Sequence, residues 1–91
     1  MARYGQITTV YEFGGADVWD LLEHTAYPLH LEGADAHNVV LGMLVTFDIE
    51  PEQGWAEPHA LVQPEQLPDN VRAALQMPVP ADISSAVSFM G

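Results

Sequence analysis

The 91 residues contain no cysteine and no lysine. Without cysteine there can be no disulfide, no thiolate metal centre and no thiol nucleophile, so any chemistry must come from histidine, carboxylates or hydroxyls. Arg3 and Arg72 are the only permanent cations. A surface so poor in positive charge cannot neutralise phosphates, which argues against direct binding of DNA, RNA or an anionic membrane. Long apolar runs are missing too. The longest, residues 39–45, is far too short to cross a bilayer, and residues 1–5 lack the apolar core of a signal peptide. A cytoplasmic protein is expected.

What the chain has in quantity is acid. Thirteen Asp and Glu give a formal net charge of −11, and they are spread along the whole sequence. Hydrophobic residues make up 48% of the chain, well above the level of a disordered acidic tail, so the sequence folds. Its length fits one domain, residues 1–91, which can bury a core without help from a metal. A GC-rich genome or a halophilic proteome would produce the same composition, because net charge bears on solubility and association and not on fold.

The periodicity predicts mixed secondary structure. Residues 6–13 are rich in β-branched and aromatic side chains and end at Gly14 and Gly15, which reads as a strand and a breaker. In residues 17–24, Val18, Leu21 and Leu22 fall on one helical face. Asp17 and Asp20 stand where a cap and first turn favour acids, and Pro28 would close the helix. Residues 29–32 alternate, and residues 38–50, in which every odd position is apolar, predict a long strand with Gly42 at a bulge or close approach. Residues 51–54 carry turn chemistry, and 56–63 read as a fourth strand, which Pro58 confines to an edge. Residues 69–76 and, more ambiguously, 80–91 read as helices. The expected architecture is therefore α+β, an antiparallel sheet of about four strands with two or three helices, ordered β-α-β-β-β-α-α.

Residues 30–37, HLEGADAH, gather His30, Glu32, Asp35 and His37, and His30, Glu32 and His37 are the candidate metal ligands. A hairpin pairing Leu31 with Val39 and Leu29 with Leu41 puts both leucines on the apolar face. It also leaves His30 and Glu32 outside with a pliant loop that fixes no ligand geometry. No metal and no cofactor is therefore expected. Catalysis has similarly little support: His24 near Asp20, His59 near Glu57, and Ser84, Ser85 and Ser88 belong to no nucleophile elbow, phosphate loop or metal-binding helix motif. The protein is not read as an enzyme.

Two acidic surfaces carry the functional expectation: Asp17, Asp20 and Glu23, and the turn formed by Asp48, Glu50, Glu52 and Glu57 around Trp55. Carboxylates on rigid elements can imitate phosphate rows, so the partner expected is a basic, nucleic-acid-binding protein whose surface this chain blocks. Size and charge suggest a phage or mobile-element origin. Trp19 and Trp55 adjoin the acids as aromatic anchors or as core residues. The alternative is an immunity- or antitoxin-like or assembly module that binds through Trp55 or the C-terminal segment, where Phe89 and Met90 would support a homodimer.

Overall fold

The computed structural model describes residues 3–12, 14–31 and 39–79. Five strands dominate: β1 (Arg3–Val10), β2 (Ala16–Asp20), β3 (Thr25–Leu29), β4 (Leu44–Ile49) and β5 (Ala56–Leu61). They close into a barrel in the order β1-β2-β3-β5-β4, with β4 returning to β1. Every pairing is antiparallel except that of β3 with β5, which meet in parallel at Leu29 and Ala56. Order and polarity are those of the OB fold, a five-stranded Greek-key barrel.

This corrects the α+β expectation. The predicted helix at 17–24 is instead β2 and a tight turn. Ala16, Val18 and Asp20 are buried while Asp17 and Trp19 are less so, a two-residue period that the short stretch also permits. The acids do cap a turn, but only one. The Asp20 carboxylate accepts the Leu22 and Glu23 amides at 3.0 and 2.9 Å, the His24 amide donates to the Asp20 carbonyl, and His24 then reverses the chain at φ +58°. Asp-led turn chemistry and helix N-capping look alike in sequence because the hydrogen bonds are the same.

Other elements are also shorter than the sequence predicts. The long strand over 38–50 reduces to β4. Gly42 takes φ +87°, and its amide and the Met43 carbonyl bond to the Ile7 carbonyl and amide. Leu29 pairs with Ala16 and Ala56 and not with Leu41, so the expected hairpin register is replaced. The helix over 69–76 is a single turn, α1 (Asp69–Arg72), preceded by a 3-10 turn at Pro64–Gln66. The helix expected over 80–91 lies outside the described residues. No described helix is long and apolar enough to cross a membrane.

Two apolar clusters hold the chain. The barrel interior contains Ile7, Val18, Leu29, Met43, Val45 and Phe47 among its buried residues. On the outer wall, Leu21 and Leu44 are buried under Val62, Leu67 and Val71 from the C-terminal residues, with Tyr4 and Trp19 packed alongside. A bulge between Ile7 and Thr9 bends β1, whose Arg3–Gln6 pair with β4 and whose Gly5–Val10 run along β2.

Interior volume is limiting at Gly5. A Cβ there would lie 2.4 Å from Val18 Cγ2 and 2.6 Å from Phe47 Cε1, inside both side chains. We therefore expect Gly5→Ala to destabilise the fold by about 1–3 kcal/mol through overpacking. Chemical denaturation of the two proteins measures the difference directly.

Candidate functional site: the acidic end of the barrel

A run of paired residues, Val10, Ala16, Leu29, Ala56 and Ile49, crosses β1, β2, β3, β5 and β4 at their loop-bearing ends without closing on itself, because β4 returns to β1 at Arg3–Gln6. The β1–β2 loop (11–15), the β4–β5 loop (50–55) and the end of β3 at His30 all emerge there. On or beside this end stand Glu12, Asp17, Asp48, Glu50, Glu52 and Glu57. Arg72 does not, and Arg3, although opposite Phe47 and one residue from Asp48 in the β1–β4 ladder, has its charge engaged by other carboxylates. The Arg3 guanidinium turns to Asp20 (3.1 Å) and Glu23, which together hold it even more firmly protonated than usual, Glu23 contributing most. Arg72 is spent within the C-terminal residues, donating to the carbonyls of Pro64, Glu65 and Leu67 and lying 3.5 Å from Asp69. Both cations are thus engaged away from Glu12, Asp17, Glu50, Glu52 and Glu57.

The β4–β5 hairpin builds half of the acidic end. Its loop repeats the chemistry of the β2–β3 turn. The Glu50 carboxylate accepts the Gln53 amide, the Gly54 amide donates to the Glu50 carbonyl at 2.8 Å, and Gly54 takes φ +75° where His24 takes +58°. The Glu50 amide and Trp55 carbonyl close the hairpin at 2.8 Å. Directly below, Asp48 and Glu57 are opposite one another in the ladder. Cross-strand neighbours sit about 5 Å apart, inside the roughly 8 Å screening length, so these like charges repel. His59, in the irregular part of β5, gives Asp48 a 2.7 Å partner.

Trp55 lies beneath this hairpin. Its ring stacks on His30 at 4.2 Å and 8°, and its indole N–H makes a long 3.4 Å contact with Glu57. The other half of the acidic end is a shallow groove between the β1–β2 loop and β3, lined by Tyr11, Gly14, Gly15, Asp17, Pro28 and Leu29. Gly14 and Gly15 both take φ +98°, a region open to glycine, and this turns the chain beside the groove. The Tyr11 hydroxyl donates to Asp17 at 2.6 Å.

The structure thus divides the residues expected to meet a partner. Asp17, Asp48, Glu50, Glu52, Glu57 and Trp55 collect at one end. Asp20 is only 2% exposed and serves the turn and Arg3, and Glu23 joins that ion pair. Of the metal candidates, His30 is occupied with Trp55, whereas Glu32 and His37 lie outside the described residues. Among the described residues no three His, Asp or Glu side chains converge to hold a metal. His24 stacks on Trp19 and leaves Asp20 to the turn, and His59 meets Asp48 instead of Glu57. That His–carboxylate pair is half exposed. Ser84, Ser85, Ser88, Phe89 and Met90 lie outside the described residues.

Sequence reasoning missed Gln6. It is fully buried, and its amide bonds the Gly42 and Met77 carbonyls and the Gln76 and Met77 amides. A lone glutamine at the head of a strand carries no sequence signal for that role.

No protein-family model matches the chain, and no curated protein matches it significantly in sequence.

Tyr11 provides a pH test of the groove. The hydrogen bond to Asp17, with smaller contributions from desolvation and the carboxylate charge, raises the phenol above its ordinary 10.0. A raised folded-state value stabilises the fold below the unfolded value and loses that stabilisation as pH climbs through the folded one. Ultraviolet titration should therefore show one tyrosine ionising late, and Asp17→Asn should return it toward 10.0.

Proposed function

We propose that this chain is a non-catalytic cytoplasmic protein that covers a basic surface of a nucleic-acid-binding protein with the acidic end of its barrel. The observation that supports this reading best is the run of six named carboxylates along the loop-bearing strand ends, with both arginines engaged by other groups. The Asp48–Glu57 pair adds to it. Like charges placed face to face cost stability when the protein is alone, and an incoming Arg or Lys would relieve them.

The fold gives the arrangement further meaning. OB barrels bind oligonucleotides and oligosaccharides on the β2–β3 face and the loops beside it. Here those places carry Asp17, Ala26 and Pro28 on the strands and Glu12, Glu50 and Glu52 on the loops, while Trp19 packs against the C-terminal residues. Fold alone does not assign a ligand, and the charge of this surface selects a cationic one. Aliphatic stems of Arg or Lys could lie along Pro28 and Leu29 in the groove while their heads meet Asp17. Carboxylates spaced along rigid strands would then take the place of phosphates.

Immobilised protein exposed to host lysate should retain nucleic-acid-binding proteins that leave at raised salt and are displaced by duplex DNA. Reversing Glu52→Lys and Glu57→Lys together should lower that retention about tenfold or more, since both side chains are exposed and neither holds the fold. Retention indifferent to salt and to the reversals would reject the reading.

A further inference from the structure

Among the described residues, none after Val62 joins the sheet. Val62 donates to the Leu44 carbonyl at 3.0 Å, and from there to Val79 the chain crosses the outer wall of β1, β2 and β4 as a 3-10 turn, one helical turn and irregular backbone. Within this strap the hydrogen bonds are local. Leu67 donates to Pro64, Val71 and Arg72 to Pro68, and Ala73 to Asp69, while Arg72 binds three carbonyls of the strap itself. None of these contacts reaches the barrel, and a single helical turn freed of its packing frays, so its amides exchange once the strap leaves.

What joins strap to barrel is of two kinds. Leu67 and Val71, with Ala74, Leu75 and Val79 beside them, bury Tyr4, Trp19, Leu21 and Leu44. The polar connection is Gln6, which uses both amide hydrogens and both acceptor positions on Gly42, Gln76 and Met77 at 2.7–3.2 Å. Beside it, on its cross-strand partner Trp19, the buried indole Nε1 finds no acceptor among the described residues. A buried donor without a partner is satisfied when water reaches it, so this group favours the open state.

We infer that residues 63–79 form a strap that detaches from the folded barrel as one unit, with Gln6 as its latch, and so controls exposure of the apolar wall around Trp19 and Leu44. Local unfolding of this kind requires a segment held by few contacts to the remainder and by its own internal bonds, and the strap has both properties. The inference is independent of the acidic end, which lies on the rung linking Val10 to Ile49.

Native-state hydrogen exchange on the full chain tests it. Amides of Val71, Arg72, Ala73, Gln76 and Met77 should exchange together and at least tenfold faster than those of the β2–β3 ladder. Gln6→Leu should accelerate the strap set about tenfold further and leave the ladder unchanged. Equal rates for the two sets in the native chain, or a substitution that accelerates both alike or neither, would overturn the proposal.

Discussion

The barrel depends on one packing constraint, the Phe47 ring lying against the bare Cα of Gly5. Five strands of five to eight residues enclose little volume, and Phe47 is the largest fully buried side chain within it. Interiors packed at crystal-like density tolerate such a ring only where the opposite wall has no side chain. Gly5 pairs with Val45 on one side and Asp20 on the other, so the same residue marks where β1 passes from one partner strand to the next. Closure at that point sets which ends of the strands gather together, and with them the acidic loops.

Two buried or unpaired sets of acceptors explain why the arginines are unavailable to the acidic surface. Asp20 continues the inward-facing series of β2 and reaches the barrel's far mouth, where a buried carboxylate requires compensation. Arg3 and two turn amides supply it. Arg72 satisfies carbonyls that a strap without sheet partners would otherwise leave open. Both cations are consumed by structural needs, and the remaining surface charge is consequently of one sign where the β1–β2 and β4–β5 loops meet.

Local chemistry was readable from the sequence where one residue type forces one geometry. The turn over 51–54 and a strand beginning at Ala56 follow from Pro51, Gly54 and the flanking pattern, and Gly14 with Gly15 marks the end of the first strand region. The period was misread where a five-residue strand ran into an Asp-capped turn. Val18, Leu21 and Leu22 imitate a helical face, yet Leu22 is 53% exposed. In the same way Leu41, part of an apparently continuous apolar face, is 52% exposed because Gly42 turns the chain. The grouping of Asp17 with the β4–β5 acids depends on barrel closure, a relation between distant strands that no local spacing encodes. Gln6 was illegible for the same reason, since its partners lie 36 to 71 residues away.

A barrel with OB topology that presents carboxylates where nucleic acid would lie should discriminate by charge. The most direct measurement is fluorescence anisotropy with two labelled probes, a single-stranded oligonucleotide and an arginine-rich peptide, each titrated with the protein at low and at high ionic strength. The account predicts that the peptide binds and weakens steeply with salt, while the oligonucleotide does not bind at either ionic strength. Tight oligonucleotide binding, or a peptide ignored even at low salt, would contradict it.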